Sequence, residues 1–206
     1  MTHLFDPLTV RGVTLRNRVG VSPMCMYSYE NGMSNDWQVT HLGARAVGGA
    51  GLVIAEATAV DPAGRITPND AGLWSDDHIE PLTRVTKVIK AHGAVPGIQI
   101  GHAGRKASTN RPWTDNGQPI PADNPAGWPV VGPSPVAFNC GYQVPRELTV
   151  DEIHTIQNQF RDTARRALAA GFEWLEIHAA HGYLLHNFYS PLSNHRQDDY
   201  GGSFEN

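Results

Sequence analysis

Three apolar stretches, "GLVIAEATAV", "AVPGIQIG" and "FEWLEIHAA", run without the polar alternation of a half-exposed strand. Branched and small apolar residues on both faces of a strand require cover on both faces, which points to a parallel sheet sandwiched by other elements. "RVGVSPM" is a shorter run of the same kind, and it ends at Pro23, where a strand gives way to a loop.

The segments between these runs have helical periodicity. "DWQVTHLGARAVGGAG" places Leu42 and Ala46 one turn apart and trails into glycines. "SDDHIEPLTRVTKVIKAHG" offers Ser75, Asp76 and Asp77 as caps, a stripe of Leu82, Val85 and Val88 or Ile89, and Gly93 as the stop. Thr149 and Glu152 spell a capping box ahead of Ile153, Ile156, Phe160, Ala164 and Ala167 on one face, with Gly171 at the end. Strands alternating with helices in this way form βαβ units, with "FEWLEIHAA" expected as a further buried strand.

Two α/β architectures satisfy that order. A doubly wound sheet calls for a glycine fingerprint in its first strand-to-helix turn, and "VSPMCMYSYENGMSND" has none. A TIM (β/α)8 barrel instead gathers chemistry at successive strand C-termini. Those ends read "SPMCMY", "EATAV", "QIGHAGRK" and "EIHAAHGY", so the barrel is the expected fold. A barrel takes about 250 residues and eight strands. Residues 1–206 are therefore expected to be the N-terminal half of one barrel domain, about its first four β/α units, in a longer protein. Residues 104–148, rich in proline and carrying Trp113 and Trp128, exceed a plain connection. They are expected to form a lid or hairpin over the barrel mouth.

A net charge of -4 with no block of Lys or Arg argues against nucleic-acid or membrane-surface partners. No apolar run approaches the ~20 residues of a membrane span. The N-terminus lacks the basic and apolar regions of a signal peptide, and Cys25 and Cys140 are the only cysteines, so a reducing, cytoplasmic setting is expected.

His178 and His181 follow the fourth strand at the expected catalytic face, with Tyr183 two residues further on. They could ligate a metal with His102 and Glu56, or donate hydrogen bonds to a substrate oxygen with Tyr183 as proton source. Cys140 reads as a small buried hydrophobe, and Lys106 as a solvated surface lysine.

"LRNRVGVSPMCMYS", "GLVIAEATAV", "IQIGHAGRKA" and "HAAHGYLLHNFYSPLSNHRQDDYGGSFEN" together resemble the Old Yellow Enzyme family of flavin-dependent ene-reductases, in its thermophilic-like and YqjM-like branch. The resemblance runs in order through the chain. It implies a barrel that holds FMN at its strand C-termini, with NADPH or NADH as electron donor and an activated alkene (enone, enal, maleimide or nitroalkene) as small-molecule substrate. Hydride goes to the β-carbon; His178 and His181 would hold the substrate oxygen and Tyr183 would protonate the α-carbon. Ser22, Pro23, Met24, Cys25, Ala57, Gln99 and His178 would surround the flavin, with Cys25 tuning its potential and Tyr27 contacting substrate; no metal is implied. A carboxamide such as Gln99 suits the alternating donors and acceptors of a pyrimidine edge. The full-length protein is expected to be a homo-oligomer whose neighbouring subunit completes the site. An arginine and the phosphate-binding loops of the family fall past Asn206, so the 206-residue chain is expected to bind FMN poorly or not at all.

Overall fold

A computed structural model describes residues 3–203 and 205–206. The chain opens with an antiparallel hairpin of β1 (Leu8–Val10) and β2 (Val13–Leu15), in register from Leu8 opposite Leu15 to Val10 opposite Val13. Its two-residue turn, Arg11 at φ 47° and Gly12 at φ 86°, is left-handed at both positions, as a tight hairpin between twisted strands requires. The reading above missed this hairpin. Its signal was "LTVRGVTL", two β-branched triplets around a glycine-containing pair.

Then follow β3 (Gly20–Val21), α1 (Asp36–Val47), β4 (Leu52–Ala59), β5 (Ala71–Gly72), α2 (Ile79–Ala91) and β6 (Val95–Gly101). The chain continues through β7 (Val131–Gly132), β8 (Arg146–Glu147), α3 (Val150–Ala169), β9 (Trp174–Ile177) and α4 (Leu184–Tyr189). The main sheet runs β3-β4-β6-β9 with every pair parallel, and β5 adds to the end of β4. This is about half of a (β/α)8 barrel, with its strand C-termini on one rim.

Local chemistry sets the helix ends. Asn35 and Gln38 form a capping box on α1, and Thr149 and Glu152 form the expected one on α3. Ser75 caps a short 3-10 turn over Asp76–His78 that leads into α2. Gly93 and Gly171, at φ 75° and 90°, take the left-handed conformation that lets the chain leave α2 and α3.

The sheet has two different faces. Val53, Ala55, Ile98 and Ile100 pack under Leu42, Val85, Ile89 and Ala167 of the helices, in the largest core cluster. On the opposite, barrel-interior face, Leu52, Ile54 and Val95 pack against Leu15 of the hairpin, with Leu8, Val13 and Trp174 at the edge of the cluster. The hairpin thus covers the inner face near the strand N-termini. On α2 the buried stripe is Leu82, Val85 and Ile89. Thr163, fully buried on α3, was not among the expected core residues; its hydroxyl donates to the carbonyl of Leu73.

The first barrel strand, Gly20–Val21, gives way to a loop before Pro23 as expected, since proline has no N–H to continue the ladder. The last strand needs correction. The strand in "FEWLEIHAA" is Trp174–Ile177 and is not buried on both faces: Leu175 is 43% and Ile177 54% exposed. It pairs with β6 alone among the described residues, so its other edge is free, and its outward side chains Leu175 and Ile177 lack the cover that the inner strands have. The chain also forms a short helix, α4, directly after the His-x-x-His segment, ahead of the "YGGSFEN" stretch where the fourth helix was expected to begin. Phe204 of that stretch lies outside the described residues.

Residues 104–148 contain two 3-10 turns and the small parallel pair β7–β8. Trp128 donates its indole N–H to the carbonyl of Ala63, and the Arg65 guanidinium sits between the rings of Trp74 and Trp128, 5.5 and 4.9 Å from their centroids. These contacts fasten the excursion to the loop after β4. At the other end, buried Arg196 pairs with Asp198 and donates to the carbonyls of Pro133 and Leu148. Much of the "SNHRQDDYGG" sequence therefore ties the last loop to the β7–β8 pair.

Candidate active site

The C-terminal ends of the parallel strands frame an open cavity of about 720 Å³. Ser22, Pro23, Met24, Cys25 and Tyr27 come from the loop after β3, Ala57 from the end of β4, Gln99 from β6, and His178, His181 and Tyr183 from the turn after β9. All the residues singled out for catalysis, cofactor or substrate therefore line one cavity. Ile66 and Glu176, which were not singled out, line it too.

The turn after β9 brings three rings together. His178 lies edge-on to His181 at 5.1 Å between centroids and to Tyr183 at 4.7 Å. His181 at φ 57° and Gly182 at φ 77° are consecutive left-handed residues that reverse the chain into α4. Such strain in a non-glycine residue persists only where the surroundings fix it. The N–H of Ala180 points at Nδ1 of His178, which places the proton of the neutral ring on Nε2. Burial, then the neighbouring His181 and Lys106 charges, lowers the His178 pKa. A neutral Nε2–H donor beside the cavity results.

Tyr183 is held as a protonated phenol. Burial and the acidic groups around it raise its pKa above the ordinary value, and Tyr27 behaves alike. Cys25 is pushed up to about 12, first by burial and then by Asp70 and Glu56, so it is a thiol at neutral pH. Gln99 donates through Nε2 to Glu176 at 2.6 Å, which leaves its Oε1 and a second N–H unspent.

Lys106 corrects the surface reading given to it. Its Nζ donates to the carbonyl of His181 at 2.9 Å and lies over the rings of Phe138 and Tyr183, 4.4 and 4.9 Å from their centroids. It braces the turn that carries His181 and Tyr183 from behind, with burial and Arg105 lowering its pKa. Sequence offered no signal, since only the fold brings the turn after β6 against the turn after β9. Trp113, in the excursion, sits edge-on to Tyr27 at 5.8 Å and was likewise not singled out.

His102 does not join a metal centre. It is buried, its Nδ1 accepts the N–H of Gly104, and burial lowers its pKa to about 4. Among the described residues no three His, Cys, Asp or Glu side chains are grouped to hold a metal ion. No helix among them is long and apolar enough to cross a membrane.

The sequence profile of the NADH:flavin oxidoreductase / NADH oxidase family matches residues 3–206. An NADH:flavin oxidoreductase of Gibberella zeae is 50% identical over 208 residues, covering 100% of this chain and 50% of its own length. An NADPH dehydrogenase of Geobacillus thermodenitrificans is 47% identical over 207 residues, covering 100% of this chain and 56% of its own. The chain thus spans about half the length of the curated relatives it matches. Among solved structures, the old yellow enzyme homologue of Zymomonas mobilis superposes with a TM-score of 0.85 at 31% identity, over 99% of this chain and 56% of that one. Morphinone reductase gives 0.82 at 31%, over 98% and 54%. The chain belongs to the NADH:flavin oxidoreductase / NADH oxidase family.

Proposed function

We propose that this chain carries the catalytic half of an FMN-dependent oxidoreductase that reduces alkenes conjugated to a carbonyl or nitro group, with NADPH or NADH as electron donor. The observation that carries the reading is the meeting of His178, His181 and Tyr183 with Cys25, Ala57 and Gln99 around one cavity.

The donor set fits a flavin. Gln99 offers an acceptor and a donor together, as a pyrimidine edge requires, and Ser22 to Cys25 form one wall of the cavity. When bound there, FMN would supply the hydride for the β-carbon of the alkene. The protein's own part is electrostatic and protonic. Nε2–H of His178, with His181 beside it, stabilises negative charge as it develops on the substrate oxygen. The Tyr183 phenol supplies the proton to the α-carbon; a weak acid suffices because the carbon it meets is strongly basic. Tyr27 and Trp113 contact the alkene's substituents, and residues 104–148 act as the cover of the mouth. The relatives' remaining length leaves room for a second half-barrel; further flavin contacts there, and a homo-oligomeric full-length protein, are part of the same proposal.

The test is the visible absorption spectrum of the purified chain before and after adding FMN, followed by a phenol titration. A flavin spectrum with a long-wavelength charge-transfer band on adding phenol is the expected result for a protein of full barrel length. A full-length protein that retains no flavin absorbance once unbound FMN is removed overturns the reading.

A further inference from the structure

The ladder between β4 and β6 shifts register between Ala55 and Thr58. Ile54 faces the cavity, so strict alternation would point Glu56 inward next. Ala57 lines the cavity instead, and Glu56, only 5% exposed, is turned aside toward the loop that follows β3. Irregularities of this kind re-aim side chains next to sites. Oε1 of Glu56 accepts the N–H of Met26 at 2.8 Å and that of Tyr27 at 3.4 Å. Tyr27 is itself left-handed, at φ 50°, an uncommon conformation for an aromatic residue. Burying a carboxylate is costly, and its surroundings here are acidic or neutral. Cys25 and Tyr29 face Glu56 from the loop after β3, and Asp70 faces it from the loop after β4. Among the described residues no Lys, Arg or His is paired with it.

We propose that Glu56 is a positioning residue for the site: its carboxylate clamps the Met26 and Tyr27 peptides and so holds the Cys25 thiol and Tyr27 phenol toward the cavity. This rests on the reading of that cavity as the redox site. The relevant property is the reach of Oε1 to two backbone N–H groups; the charge of the carboxylate is secondary. Glu56→Gln keeps an acceptor at the same reach and loses the charge. Glu56→Asp keeps the charge and withdraws it by one methylene. Glu56→Leu loses both.

The experiment measures the alkylation rate of Cys25 by iodoacetamide in the purified chain without added FMN, in a Cys140→Ser background so that exposed Cys140 does not report. The clamp predicts that Glu56→Leu and Glu56→Asp raise the rate at least tenfold while Glu56→Gln stays within about threefold of the parent. The reverse order, Asp like the parent and Gln like Leu, makes the effect one of charge and overturns the proposal. Equal rates in all four proteins overturn it too. Circular dichroism on each variant establishes that it is folded; should Leu fail to fold, the Asp and Gln pair still decides. Alkylation needs no flavin, so the clamp can fail while the flavin reading stands, and the reverse.

Discussion

Gln99 and Glu176 stand directly opposite each other on β6 and β9 and share a hydrogen bond of 2.6 Å from Nε2 to the carboxylate. An isolated carboxamide can present either end to a ligand, but a carboxylate accepts only, so Glu176 fixes which end of Gln99 faces the cavity. Replacing Glu176 by Leu removes a charge-assisted bond of about 1.5–3 kcal/mol and frees the amide to turn. FMN affinity in a protein of full barrel length is expected to fall roughly tenfold or more. Glu176→Gln, which accepts as well as donates, should lie between. Flavin fluorescence titrations check both.

His178→Ala should lower kcat for a maleimide-type alkene by about 10²–10³, the usual cost of removing one oxyanion donor. It should also weaken phenol binding. Tyr183→Phe removes the proposed proton source and should cost about 10²–10⁴ in kcat. Because the histidines remain, phenol binding should persist in that variant. Steady-state rates and phenol titrations on the same two proteins separate the roles.

Glu56 and Asp70 are both raised by burial, to about 7 and about 6, from ordinary values of 4.5 and 3.8. A carboxyl whose folded pKa is raised stabilises fully below its unfolded pKa, and that stability is lost as pH rises through the folded pKa. The fold is therefore expected to weaken between about pH 4 and 7 from these two groups. Glu56 contributes roughly 3 kcal/mol of that change. Melting temperature against pH should show the decline, and Glu56→Gln should flatten most of its upper part.

Arg196 is buried and gives its guanidinium to Asp198 and to the carbonyls of Pro133 and Leu148. Lys cannot reach all of these with one ammonium group. Arg196→Lys is expected to destabilise by about 2–3 kcal/mol, since buried acceptors lose their donors. Urea denaturation checks the value.

Among the described residues β9 has one free edge, to which further strands can add, and Leu175 and Ile177 on it are exposed. The 206-residue chain is expected to self-associate at micromolar concentration. Leu175→Lys should shift it toward monomer by light scattering.

The sequence spoke clearest where burial enforces a period. β4 and β6 are apolar on both faces because helices lie on one side and the barrel interior on the other, and the Thr149–Glu152 box stands where it was expected. The candidate site was legible because its residues sit at strand ends in recognisable runs. Lys106 and Glu176 were not, because their partners His181 and Gln99 are 75 and 77 positions away and come near only through strand pairing. The exposure of β9 could not be read from its composition either, as burial of a strand depends on its neighbours.

The hairpin of β1 and β2 has a kinetic corollary. Leu15, Leu52, Ile54 and Val95 close the inner face at the strand N-termini, directly below the cavity. Stopped at its base, the chamber is not entered from below. Under the proposed reaction, the nicotinamide donor and the alkene would both arrive from the strand C-terminal side and compete for the same space. Excess of either should then slow turnover of the other in initial-rate measurements.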